Sequence, residues 1–433
     1  MGHTFDGHAY RKLGEKVDGL TVRAPWNDTL HGILEELYTP DEADLVIDLP
    51  YGPSTFERIR EITGLPEAKL KSMLEALCAK GLVMDVFIND SPVYMPSPMV
   101  VGIFEFTMMR TDAGVDHKKM AGLFKDYLAS GFMQANFRDG SLSVMRSLPH
   151  EAVIDGATYV EVLDYDKATA IVEQADRFSM GLCSCRHEKL HLGEKTCEVP
   201  LGNCSSFGIA AEYLIRNNLA KEVSKTEMLE NVARSKELGL VLNADNVKKD
   251  ITYICHCCGC CCNVLQGISK YGCTSMVVTS GYAPKATDDC EGCGKCARAC
   301  PIHAIEMVRT DDPRPKKKKR PKVDTTICLG CGVCAMGCKT GALKLHKADK
   351  RAIYPEDTFE RVILQCLDKG TLQNQLFDNP RSMTHRFMGG VVGGFLRLSP
   401  VKRALMSDAL RSTFLASLKA GVRLQGKGWM LEL

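Results

Sequence analysis

Residues 290–301 read Cys290-Glu291-Gly292-Cys293-Gly294-Lys295-Cys296-Ala297-Arg298-Ala299-Cys300-Pro301. Three cysteines separated by two residues, a fourth three residues on and a closing proline make the C-x2-C-x2-C-x3-C-P run that wraps a [4Fe-4S] cubane. The spacing recurs at Cys328, Cys331, Cys334 and Cys338, with Lys339 where the proline would stand. In paired runs of this kind the last cysteine of each run serves the other run's cluster. Cys290, Cys293, Cys296 and Cys338 are therefore expected to hold one [4Fe-4S] cluster, and Cys328, Cys331, Cys334 and Cys300 the second. Glycines 292, 294, 330 and 332 let the backbone bend tightly and offer N–H groups to the sulfurs. Zinc fits less well, since structural zinc usually joins one C-x2-C pair to a distant second pair.

Working outward, ten more cysteines lie upstream. Cys183-Ser184-Cys185-Arg186-His187 is followed by Cys197 and Cys204, and these four thiols suffice for a further cluster. Arg186 is placed to offset its negative charge. The stretch Tyr253–Leu265, YICHCCGCCCNVL, packs Cys255, Cys257, Cys258, Cys260, Cys261 and Cys262 into eight positions. That exceeds what one cubane can use. A subset is expected to complete the cluster begun at Cys183 and Cys185 or to hold a separate one, the rest simply packing. His256, His187 and His191 read as hydrogen-bonding neighbours rather than ligands. Cys78, on the apolar face of a helix, reads as a core residue.

The 433 residues carry 21 cysteines and a formal net charge of +2. The first twenty residues lack an apolar signal region, Asp6 stands where a myristoylation signal needs Ser or Thr, and no apolar run approaches the roughly 18–20 residues of a membrane span. A reducing, cytoplasmic setting is expected, in which clustered cysteines bind metal rather than form disulfides. The near-neutral charge gives no global argument for a nucleic-acid partner.

The expected fold class is α+β and multidomain. Residues 1–100 form an N-terminal segment and winged-helix module, 101–283 an α/β cysteine-rich iron–sulfur domain, 284–348 a two-cluster ferredoxin domain with a Lys/Pro-rich insertion, and 349–433 a helical tail. In the first, Thr39-Pro40-Asp41-Glu42 and Ser54-Thr55-Phe56-Glu57 read as capping boxes. Gly64 stops a helix, Pro66 opens another with Leu70, Met73, Leu74, Leu77 and Cys78 apolar, and a hairpin turns about Asn89-Asp90-Ser91. The helix from Pro66 sets Lys69, Lys71 and Lys80 against Glu67 and Glu75 and has no arginine, which argues for protein docking over DNA.

In the second segment, strands are expected at TYVEVLDY (158–165), FSMGLCSC (178–185) and ITYIC (251–255). Helices are expected from Asp166, over about 206–217, from the capping box at Ser224 to about 238, and over Asn263–Tyr271. This pattern suggests an open α/β sheet with thiols at its strand ends. Prolines 313, 315 and 321 keep the insertion DPRPKKKKRPKV (312–323) extended; its cations Lys316 to Arg320 suit a solvated loop or an acidic partner. The tail opens a helix at Ser399-Pro400 with Leu405, Leu410, Phe414, Leu415 and Leu418 against Lys402, Arg403, Arg411 and Lys419. Such a helix packs on protein or lies on an anionic membrane surface.

In this order, the winged helix, PSPMVVGIFEFTMMR, CSCRHEK…CEVPLGNC, ICHCCGCCC and the two ferredoxin runs, the chain resembles 4Fe-4S dicluster-type ferredoxin proteins of anaerobic bacteria and archaea over about residues 30–347. Family members carry forms similar to C-x-C-R…C…PLE-x-C and C-N-C-C-x-C-C-C; here Gly202 and His256 replace the glutamate and asparagine. The resemblance implies iron–sulfur electron transfer. No G-x-G-x-x-G or Walker loop is present. The expected role is relay of single low-potential electrons between protein partners, flavoprotein or oxidoreductase subunits, as a subunit or accessory of an anaerobic oxidoreductase, peripheral to the inner membrane face. Two [4Fe-4S] clusters and one or two additional clusters are expected. The alternatives are a redox-sensing DNA-binding regulator and an Fe–S enzyme with a substrate-binding cluster at the cysteine-rich centre.

Overall fold

The computed structural model describes residues 3–112, 114–138, 140–156, 166–311, 318–348 and 353–432. The chain divides into two compact units: Met1–Asn136 with Glu212–Ala220 and Glu356–Leu433, and Phe137–Ala211 with Lys221–Pro355.

The first unit is mainly helical. Helices Asp28–Leu37, Pro40–Asp48, Phe56–Thr63 and Glu67–Ala79 lead into a three-stranded antiparallel sheet of order β1-β3-β2, with β1 Ser54–Thr55, β2 Val83–Ile88 and β3 Ser91–Pro96. Thr39 accepts from the Glu42 N–H while Glu42 accepts from Thr39, the reciprocal box its sequence predicts. The second expected box shifts by one residue: Thr55 caps the helix Phe56–Thr63 by accepting from the Arg58 N–H, while Ser54 and Thr55 both pair with β3. Gly64 ends that helix at φ 68°. Asn89 and Asp90 make the hairpin turn with φ of 49° and 61°, and Ser91 begins β3. Leu70, Leu74, Leu77 and Cys78 form the buried face of Glu67–Ala79.

The tail is five helices, Thr358–Lys369, Leu372–Leu376, Met383–Leu396, Ser399–Met406 and Asp408–Leu424. The single basic helix expected from Ser399 breaks at Ser407, whose extended backbone separates two helices. Its cations are engaged within the unit: Lys402 with Asp368, Arg411 with Asp408, Lys419 with Asp357 and Glu360. No helix among the described residues is long and apolar enough to cross a membrane.

The second unit is built on a seven-stranded sheet. It comprises β4 Met145–Leu148, β5 Phe178–Gly181, β6 Cys204–Phe207, β7 Ala220–Glu222, β8 Val241–Asp245, β9 Tyr253–Cys257 and β10 Val277–Val278, in the order β10-β4-β8-β9-β6-β5-β7. β10 pairs with β4 in parallel, while β4–β8, β8–β9, β9–β6 and β6–β5 are antiparallel. The open α/β sheet expected from strand–helix alternation is thus mostly antiparallel. Leu148, Ile171, Val172, Phe207, Met228, Val232, Leu242 and Ile254 form its core. The expected strand 158–165 lies outside the described residues, and the helix after it starts at Ala168. Asp166, expected to open that helix, pairs with buried Arg146.

The cysteine runs sit between two small antiparallel pairs: β11 Tyr282–Ala286 with β14 Leu343–Lys347, and β12 Ile305–Arg309 with β13 Lys319–Val323. Pro284 and Pro321 are accommodated because each sheet has only two strands, both of them edges. Each run turns into a short helix, Lys295–Ala299 or Val333–Met336, after a glycine at positive φ, Gly294 at 73° and Gly332 at 86°. Residues Lys319–Val323 of the insertion are extended in this hairpin; Lys316 and Lys317 lie outside the described residues.

Candidate metal centres

A cavity in the ferredoxin region is lined by Cys300 of the first run and Cys328, Cys331 and Cys334 of the second, with Gly330, Gly332 and Pro301. This is the set expected from crossed ligation. The Ala304 N–H reaches the Cys300 sulfur at 3.2 Å. Burial pushes the Cys331 thiol up to about 12, so ionising it in place needs a compensating cation. At the other set, burial opposes ionisation of Cys338, but the Thr340 hydroxyl and the Leu343, Thr340 and Ala342 N–H groups hold its thiol below the ordinary value. Buried thiols from both runs, a shared cavity and N–H groups directed at sulfur are the donor set an iron–sulfur cluster requires.

The ten upstream cysteines do not gather as the sequence grouping suggested. Strand β9 extends to Cys257, two residues beyond the expected ITYIC end, and its alternation puts Cys255 and Cys257 on one face. The antiparallel register Ser205↔Ile254 sets Cys204 of β6 beside Cys255. Strand β5 ends at Gly181, so Cys183 caps the helix Ser184–His191 and Cys185 lies in its first turn, rather than both ending a strand. Cys262 likewise caps the helix Asn263–Tyr271.

These placements create a set of six thiols. Cys185 hydrogen-bonds Cys262, Cys255 bonds Cys204 and Cys257, Cys257 bonds Cys262, and Cys183 lies near Cys185 and Cys204. Hydrogen bonds from Cys255 and Cys262 bring Cys257 down to about 6 despite burial. The N–H groups of Arg186, Asn263 and Leu265 bond the sulfurs of Cys183, Cys185 and Cys262. Two helix N-termini therefore face this set, but burial and the neighbouring thiols still raise Cys183, Cys185, Cys255 and Cys262, so the set needs a bound cation to hold them as thiolates.

Cys197 is the departure. It was grouped with Cys183, Cys185 and Cys204, but its sulfur lies 3.8 Å from those of Cys258 and Cys261. The loop after β9 turns Cys258, Cys260 and Cys261 away from the face that Cys255 and Cys257 occupy. The stretch thus contributes Cys255, Cys257 and Cys262 to one set and the other three to a second.

Arg186 lies between the two sets and is 1% exposed. Its guanidinium donates to Asn203 Oδ1 and to the Pro200 and His256 carbonyls. Burial alone would lower its pKa; nearby Cys183, Cys258 and Cys257 more than offset this and raise it. A hydrogen bond from Cys261, opposed by burial and helped by Arg186, takes the Cys258 thiol down to about 4. His256 points to the opposite face of β9, where Nε2 lies 2.8 Å from Ser205 Oγ; burial and then Arg186 lower it to about 3, so it is neutral. His187 and His191 face each other, Nε2 to Nε2, at 2.9 Å. Cys78, Cys273 and Cys366 are buried singly.

The two regions adjoin. A Cβ built on Gly259 would stand 2.6 Å from the Pro301 carbonyl oxygen, so the cysteine loop lies directly on the turn that carries Cys300.

Residues 289–342 match the model of the 4Fe-4S dicluster domain family. No curated protein and no solved structure matches the chain. Over the matched region the chain is similar to ferredoxin-type iron–sulfur domains, and the donor sets above suit iron–sulfur electron transfer.

Proposed function

We propose that the protein relays single electrons between redox partners through two [4Fe-4S] clusters in residues 284–348 and one more at the six-thiol set. Cys300, Cys328, Cys331 and Cys334 would hold one cluster, Cys290, Cys293, Cys296 and Cys338 the second, and a subset of Cys183, Cys185, Cys204, Cys255, Cys257 and Cys262 the third. Bound clusters supply one-electron chemistry. The chain's own residues bury the sulfurs, direct N–H groups at them and balance their charge with Arg186. The observation that carries the reading is the cavity lined by cysteines of both runs.

We assign the partners to protein subunits of an anaerobic oxidoreductase, in a reducing cytoplasmic setting. The helices and hairpin of residues 28–96, in the order of a winged helix, serve this reading as a docking module. Lys69 pairs with Asp41 and Lys80 with Glu42, which leaves little charge for DNA. Contact with a membrane face is supported by the helix Met383–Leu396, where Met383, Phe387, Val391 and Phe395 recur every four residues and are each more than half exposed.

The test is anaerobic quantitation of iron and acid-labile sulfide on the full chain, with EPR of the reduced protein. At least about twelve sulfides per chain are expected for three cubanes, and fewer than about eight would overturn even the two-cluster core.

A further inference from the structure

The set Cys197, Cys258, Cys260 and Cys261 differs in kind from the other thiol sets. Its four sulfurs all lie within 4.8 Å of one another, the one such group of potential ligand atoms among the described residues. Measured edges are 3.8 Å for Cys197–Cys258, 3.8 Å for Cys197–Cys261 and 3.6 Å for Cys260–Cys261. Four thiolates about 2.3 Å from one tetrahedral ion would stand about 3.8 Å apart. In a cubane each thiolate holds a different iron at a different corner, so its four sulfurs are spread much wider. The eight ferredoxin cysteines supply an internal comparison: no three of them gather within the 4.8 Å limit that this quartet meets.

We infer that this quartet is a mononuclear site for one thiophilic divalent ion, zinc or iron, separate from the iron–sulfur clusters. Tetrahedral S4 coordination suits both metals. A divalent ion in four thiolates leaves a charge of −2. The buried guanidinium of Arg186, which hydrogen-bonds Cys258 as well as the Asn203, Pro200 and His256 oxygens, supplies a cation at this set. Hydrogen bonds also hold the ligand segment in place: the Cys262 N–H donates to the Cys258 carbonyl at 3.1 Å, and the Gln266 side-chain Nε2 donates to the Cys260 carbonyl at 2.6 Å. Cys197 comes from a separate loop, so the ion would clasp residues 195–199 to the loop after β9.

Metal and sulfide analysis of the anaerobic full-length protein and of Cys197→Ser and Cys260→Ser variants tests the site. Each variant is expected to lose one equivalent of zinc or iron with inorganic sulfide and the reduced-cluster EPR unchanged. Loss of iron together with about four sulfides would show a cubane instead and overturn the inference, as would full metal retention in both variants. If the variants do not fold, the wild type still decides. Zinc should give a K-edge spectrum with one sulfur shell at about 2.3 Å and no metal–metal scattering, and iron the high-spin ferric EPR signal of an isolated tetrathiolate after mild oxidation. Absence of both signals overturns the site. The readouts are separable from the relay, whose clusters are counted by sulfide.

Discussion

Gly259 lies so close to Pro301 that a Cβ on it would meet the Pro301 carbonyl oxygen at 2.6 Å and its Cα at 3.1 Å. Backbone cannot yield as a flexible side chain can, so the loop would have to lift from the turn bearing Cys300. Gly259→Ala is expected to cost about 1–3 kcal/mol, the range for overpacking a tight contact. Thermal unfolding of the anaerobic protein measures it. A variant as stable as wild type would show that the two segments are not in contact.

Removing one cysteine from each proposed cluster should separate them. Cys331→Ala is expected to lose about four irons and four sulfides from the ferredoxin region. Cys204→Ser and Cys255→Ser should each perturb one and the same EPR component, distinct from the one Cys331→Ala abolishes, because the β6–β9 register sets these two residues side by side. Independent effects of the latter two would argue against a shared cluster.

Arg186→Met leaves the neighbouring anionic sulfurs without their buried cation. Breaking such a pairing typically costs about 3–5 kcal/mol. The upstream cluster should also become harder to reduce, since an added electron is no longer offset. Redox titration followed by EPR reads the shift, and an unchanged potential would remove Arg186 from this role.

Glu105 gives a pH signature in the first unit. Burial raises its carboxyl from 4.5 to about 7, partly opposed by hydrogen bonds from backbone N–H groups, including that of Gly102 at 2.9 Å. Its folded value lies above its unfolded one, so the folded state binds the proton more tightly. The stability this contributes is complete below about pH 4.5 and is lost as pH rises through about 7. Glu105→Gln should flatten that decline in denaturation curves taken across the window. Parallel curves for the two proteins would contradict it.

The exposed face of Met383–Leu396 predicts binding to lipid vesicles. Phe387 and Phe395 are 71% and 58% exposed, and replacing both by Glu is expected to weaken co-sedimentation several-fold, at about 1.5–3 kcal/mol for each buried aromatic side chain. Equal sedimentation by both proteins would assign that face to a protein partner.

Much of the first unit was legible because its signals are local. The Thr39 box, Gly64, the buried stripe from Leu70 to Cys78 and the Asn89-Asp90 turn each act within four residues. The ferredoxin runs were equally readable, since their ligands follow a fixed spacing. What stayed hidden depends on contacts between distant residues. Cys197 stands close to Cys183, Cys185 and Cys204 in sequence, but the loop that carries it meets the 258–261 segment, which no spacing encodes. The antiparallel sheet was missed for the same reason, because alternating strands and helices do not reveal strand direction. The apolar face of Met383–Leu396 escaped attention because its glycines, 389, 390, 393 and 394, blur the helical pattern.

Cys257 and Cys258 are neighbours in the chain, yet one belongs to the six-thiol set and the other to the compact quartet. The peptide bond between them works like a seam sewn from both sides, one residue facing each set. A single-residue deletion at this point would shift Cys257 or Cys258 off its set and disturb both at once.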